Sequence, residues 1–235
     1  MSATIAKKTV DHSAWAAKRL HSFVGIVPLG VYLVLHLSRN VTTLFGPEAF
    51  DAAVAATWQK PINYLWTVLL VYIPLIYHAC YGLYLVFTGE KKSFSRYMNL
   101  ESWRFILQRV SALGVLGFLC AHIFLTRVHS VMNWVEGGKI TYGHFAEHMW
   151  HNPLTAPVYL LGILGVAYHL GNGFATFCIS WGITTGQRGI AIAEKIGLAF
   201  GILLLILGYA TVTGFFLYDF TPAKILGGPL LLLQH

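Results

Sequence analysis

Four histidines stand inside long apolar runs: His36 in VPLGVYLVLHL, His78 in YIPLIYHACYGLY, His122 in VLGFLCAHIFL and His169 in GVAYHLGNG. An imidazole in hydrocarbon is costly and usually marks function. A single one is satisfied by a hydrogen bond to a neighbouring helix, but four, one on each of four apolar segments, point to metal ligation. Zinc asks for ligands converging in one tetrahedral cluster. Separate pairs of facing imidazoles suit haem iron instead, and filling both axial positions favours electron transfer over oxygen binding. No CxxCH occurs, so a b-type haem without a thioether link is expected. Cys80, Cys120 and Cys178 each lie alone within apolar segments, with no CxxC, and read as small apolar filler.

The elements that must position these histidines are transmembrane helices. Of the 235 residues, 56% are hydrophobic and 11% charged, against about 25% charged in a soluble domain. Mean hydropathy is +0.62. A membrane-crossing helix needs about 20 mostly apolar residues. Five segments qualify, at about residues 20–38, 62–87, 105–127, 155–181 and 196–217. The expected fold is therefore an all-α integral membrane protein, one domain over residues 1–235, built as a bundle of five transmembrane helices holding two b-type haems. The apolar stretch 222–235 is too short to span and is expected on the membrane surface or against a partner. No apolar h-region precedes residue 20, so no cleaved signal peptide is expected and the first segment serves as anchor.

The net charge of +7 comes from bases clustered between apolar segments, a topogenic pattern and not a nucleic-acid surface. With the N-terminus inside, the inner stretches carry Lys7, Lys8, Lys18, Arg19, Lys91, Lys92, Arg96, Arg104, Arg109, Arg188 and Lys195. The outer ones carry only Arg39, Lys60, Arg127, Lys139 and Lys224. The positive-inside rule thus places the N-terminus in the cytoplasm and the C-terminus outside. All 9 acids fall in loops or at segment ends, which weighs against a carboxylate-based ion pump.

Alternating direction then fixes depth. His36 and His122 end outward-running segments and lie near the outer face. His78 and His169 lie toward the inner face. The pairs are expected to be His36 with His122 and His78 with His169. A weak repeat agrees: Tyr77 to Gly82 and Tyr168 to Gly173 both read YHxxxG, as in a duplicated helical hairpin followed by a fifth helix. Gly82, Gly171 and Gly173, with Gly25, Gly30, Gly114 and Gly117 a turn or more away, offer room for the broad face of a haem. They also suit close helix packing. Pro28 and Pro74 are expected to kink their helices.

RLHSFVGIVPLGVYLVLHL, YIPLIYHACYGLY, LQRVSALGVLGFLCAHIFLTR and AYHLGNGFATFCISWGIT together resemble the cytochrome b558 membrane-anchor subunit of succinate dehydrogenases and fumarate reductases, of the single-chain, five-helix, two-haem bacterial type. The resemblance covers roughly residues 19–186. It implies that His36 and His122 bind a distal haem b and His78 and His169 a proximal one. It implies two partners on the cytoplasmic side, a flavoprotein with FAD and an iron–sulfur subunit. It also implies electron delivery to a quinone, usually menaquinone, in a bacterial cytoplasmic membrane. This chain would then do no chemistry on succinate. His21, Ser22, Arg109 and Ser111, at the inner face, are candidates for haem propionate contact; basic and polar residues at an interface also serve as lipid-headgroup anchors.

A quinone site belongs beside the distal haem, where Arg39, Asn40, Trp58 and Arg127 lie, although each also fits as a snorkelling or belt residue. His144, His148 and His151 in GHFAEHMWH share one helical face. They suit zinc, or protons near a quinone, less well than a plain amphipathic surface helix. Two other readings compete: a cytochrome b serving another membrane dehydrogenase such as a hydrogenase, and a multi-span transporter with structural histidines.

Overall fold

The computed structural model describes residues 12–58, 62–88, 100–128 and 141–219, with Met132. All regular structure among the described residues is helical. Five helical stretches, His12–Phe45, Leu65–Thr88, Ser102–Val128, Thr155–Ser180 and Gln187–Tyr218, are long and apolar enough to cross a membrane. Their outward faces carry exposed Leu35, Ile76, Leu161 and Leu198, as lipid contact requires and water does not. The chain is an all-α, multi-pass membrane protein.

The first span comprises α1 (His12–Ile26) and α2 (Pro28–Asn40), followed by a 3-10 turn at Val41–Phe45. It begins earlier than the apolar pattern alone suggests, because SAWAAKRLH is made of good helix formers. Pro28 stands at the first turn of α2, where its missing N–H is tolerated. Helical bonding continues across the joint, with Val27 N donating to Phe23 O at 2.8 Å. The second span runs α4 (Ile62–Thr67), a π turn (Val68–Tyr72) and α5 (Ile73–Thr88). The wide turn, in which Ile73 N donates to Val68 O, sits directly before Pro74, whose ring would clash with a carbonyl four residues back in a regular helix. The third is α6 (Leu100–Ile123), closed by a π turn at Phe124–Val128.

The fourth and fifth spans are α8 (Thr155–Ser180) and α9 (Gln187–Asp219). They pack on each other more extensively than any other pair, through small residues. A Cβ added at Gly171 would lie 2.7 Å from Gly197 O, and one at Gly201 2.8 Å from Ala167 O. Gly197 and Gly201 form a GxxxG pair facing Ala167, Gly171 and Ala175, which brings the backbones together. This corrects one expectation: Gly171 makes room for α9, not for a group beside His169. Gly30 likewise meets Leu170, and Gly114 and Gly117 face open space. The fifth helix starts nine residues earlier than expected, with polar Gln187 and Arg188 in its first turn and Glu194 two turns on, paired with Arg104 of α6.

Two short helices, α3 (Pro47–Trp58) and α7 (Tyr142–His151), close one end of the bundle. Tyr142, Ala146 and Met149 of α7 are buried with Phe50 of α3 and Phe215 of α9. The apolar face of α7 therefore packs on protein and not on a lipid surface. Tyr142 N donates to Asp51 Oδ1 and Tyr142 OH to Gly214 O at 2.9 Å, which fixes the cap. The side chains of His148 and His151, and the stretch 222–235, lie outside the described residues.

Candidate cofactor site

The four apolar-segment histidines meet in two pairs. His36 of α2 and His122 of α6 have ring centres 5.9 Å apart with planes at 87°. His78 of α5 and His169 of α8 are 6.1 Å apart at 86°. A nitrogen-to-metal bond of about 2 Å plus roughly 1.1 Å from nitrogen to ring centre, taken twice, gives about 6 Å for two imidazoles on one iron. Both pairs have that spacing. Among the described residues no three His, Cys, Asp or Glu side chains converge as a metal cluster, so each pair is a two-ligand arrangement.

The pairs lie at different depths. Gly25 touches the His78 ring, and eleven residues further His36 sits in the other pair, about 16 Å along the helix. On α8, Tyr159 approaches His122 and His169 follows ten residues later, about 15 Å. One continuous cavity of about 1810 Å³ is lined by all four histidines. That exceeds the ~300–1,000 Å³ of a pocket for one drug-sized ligand and suits two large flat groups.

Hydrogen bonding orients the rings. His78 Nδ1 lies 3.0 Å from His21 O, so the imidazole donates to a carbonyl of α1. His122 Nδ1 lies 3.1 Å from the Tyr159 hydroxyl. His169 Nδ1 lies 3.2 Å from the Gln108 amide nitrogen and 3.4 Å from Ser111 Oγ, whose own proton goes to Gln108 O at 3.1 Å; with Nε2 on a metal, Ser111 is the partner that can accept the Nδ1 proton. Gln108 donates to His169 O at 3.1 Å and accepts from Asn172 at 2.8 Å, locking α6 to α8 around the ring. In these three residues the bonds run through Nδ1, which leaves Nε2 for a ligand; this is the usual division of labour in a metal-binding histidine. At His36 the Asn40 amide sits 3.0 Å from Nε2, and binding there requires that amide to give way.

Gly25 supplies a cradle: a Cβ there would come within 2.5 Å of His78 Cε1. The donor set, the spacing, the cavity and this cradle fit a b-type haem at each pair.

The remaining expected residues divide between the two ends. His21 stacks on His78, with ring centres 4.1 Å apart and planes 5° apart. Ser22, Arg109, Lys18 and Arg19 line the cavity at that end. Arg109 lies 3.6 Å over the Phe105 ring, and Ser111 faces His169 Nδ1. At the other end Arg39, Asn40 and Arg127 line the cavity, and Arg39 donates to Thr57 Oγ1 at 2.8 Å. The Trp58 side chain lies outside the described residues. Gln108 and Tyr159 were not singled out from sequence. A lone glutamine beside Arg109 and a tyrosine in an apolar run read as interface residues until the helices are paired.

No family model matches this sequence. Over 198 residues, 84% of this chain and 95% of the relative, it is 32% identical to the succinate dehydrogenase cytochrome b558 subunit of Bacillus subtilis (strain 168).

Proposed function

Because the chain belongs to the family of succinate dehydrogenase cytochrome b558 subunits, we propose that it anchors such a complex in the bacterial cytoplasmic membrane and carries electrons between an iron–sulfur partner and menaquinone. One observation carries the reading: two histidine pairs, each about 6 Å between ring centres, drawn from four different helices into one cavity. His78 with His169, and His36 with His122, would each hold one haem b through Nε2. Bound there, the two haems supply one-electron carriers spaced across the membrane.

The protein's own residues do the rest. Helix packing holds each imidazole pair at ligating distance. The Nδ1 partners set ring orientation and basicity. The mostly apolar cavity wall, with Leu33, Leu116, Ile163 and Val166, would keep water from the irons. Lys18, Arg19, Arg104 and Arg109 line the His78–His169 end, and their charge suits propionates and an acidic docking face of the iron–sulfur subunit. A flavoprotein with FAD would complete the assembly on the cytoplasmic side, where the N-terminus also lies. Arg39, Asn40, Trp58 and Arg127 would line the quinone end beside His36 and His122.

The test is a haem count on the purified complex. Two b haems per chain by pyridine haemochrome are expected. His78→Ala should lose one of them, or the assembled complex. A wild-type complex with no haem absorbance would overturn the reading and favour a transporter with structural histidines.

A further inference from the structure

The two pairs differ in what receives the Nδ1 protons. At the His78–His169 pair His78 faces a backbone carbonyl, and His169 faces a serine hydroxyl with the Gln108 amide nitrogen beside it. At the His36–His122 pair the acceptor is a phenol, Tyr159. Resting on the haem reading above, we propose that Tyr159 is a positioning residue that lowers the reduction potential of the haem held by His36 and His122, acting through His122.

The argument starts from the proton inventory. An imidazole bound to iron through Nε2 keeps its proton on Nδ1 and is there a donor only. The Tyr159 oxygen, 3.1 Å away, must then accept. Accepting that proton raises the electron density on the imidazole and makes it a stronger ligand. A stronger donor ligand favours ferric over ferrous iron and so lowers the potential.

The position of the oxygen is set independently of this bond. The Tyr159 ring meets Phe118 edge-on, with centres 5.4 Å apart at 87°. It also packs against the buried cluster of Phe50, Tyr142, Ala146, Met149 and Phe215. Phe118 in turn stacks on His122 at 5.6 Å. The cap formed by α3 and α7 thus holds the phenol in place, and the phenol orients the ligand. No comparable side chain stands at His78, whose acceptor is main chain and cannot be deleted by substitution. Tyr159 therefore gives the two haems unlike surroundings by a device that a single oxygen atom controls.

The experiment is a potentiometric titration of the haem absorbance in the intact complex, wild type against Tyr159→Phe. Phenylalanine keeps the ring packing and removes only the acceptor. One of two haem components is expected to rise in potential by roughly tenfold in its reduction equilibrium, ~59 mV for one electron, while the other stays put and the haem count remains two. Unchanged potentials, or both rising together, would overturn the assignment. A wild type without haem would instead sink the function proposed above, so the two failures are distinguishable. Should Tyr159→Phe not assemble, fluorotyrosine placed at position 159 decides: it keeps the shape and weakens the oxygen as acceptor. The same component should rise by less, and no shift would overturn the proposal.

Discussion

An imidazole that gives Nε2 to iron must still place its Nδ1 proton, and for the proposed ligands different residue types would do so. Nδ1 of His78 meets the carbonyl of His21, that of His169 meets Ser111 and the Gln108 amide, and that of His122 meets Tyr159. Space is the second requirement at this scale. The His78 ring stacks on His21 and turns its Cε1–Nδ1 edge toward the bare backbone of Gly25. Gly25→Val is expected to displace the ring and to lower haem content from two per chain to one, with the His36–His122 haem retained. Pyridine haemochrome analysis measures this directly; full occupancy in the variant would show that His78 does not need the space. The cost arises from a side chain meeting a fixed ring and not from helix propensity, since valine is tolerated in apolar helices.

At the scale of elements, α8 carries two duties on two faces. One face presents Tyr159 and His169 to α6 and the cavity. The other presents Ala167, Gly171 and Ala175 to α9. In a bilayer no hydrophobic force drives helices together, so close van der Waals contact through small residues has to do so. Gly171→Leu would drive a side chain into the Gly197 carbonyl. Overpacking of this kind costs about 1–3 kcal/mol, read as a loss of resistance to denaturing detergent. Because His169 lies two residues away, some loss of the His78–His169 haem should accompany it. A variant as stable as the wild type would mean that α9 is not held by this seam. By contrast, the Arg104–Glu194 pair between α6 and α9 is about one-third exposed, and such pairs contribute about 0–1 kcal/mol. Glu194→Gln is expected to leave stability nearly unchanged in the same assay.

At the scale of the molecule, the bundle is a frame that keeps two histidine pairs about 15 Å apart along the helices. Every span but α9 contributes one of these histidines. The fifth span buttresses α8 and meets the cap at Phe215. The distribution of Lys and Arg predicts a direction for the frame. If the His78–His169 end faces the cytoplasm, alkaline phosphatase fused after Tyr218 should be active, because its disulfides form only outside. The same enzyme fused within residues 89–99 should be inactive. The reverse pattern would invert the proposed orientation and move the iron–sulfur partner to the other end.

The sequence by itself determined the number of spans and the residues that stand as haem ligand candidates. Apolar length is a local property, and histidines inside hydrocarbon are few enough to notice. Alternation of direction also made the pairing of His36 with His122 and His78 with His169 legible, since two histidines at one depth in a narrow bundle have little choice of partner. What the tertiary structure decided was the identity of the neighbours. Tyr159 and Gln108 touch ligands because α6 and α8 are set side by side at one rotation, and no local pattern encodes that rotation. Gly25 and Gly171 look alike in sequence, yet one faces a histidine ring and the other a helix backbone. The amphipathic pattern of α7 announced a buried face without saying that Phe50 and Phe215 would cover it. Composition and period fix which residues leave water; only packing fixes what each one meets, because that depends on helix rotation and register summed over the whole bundle.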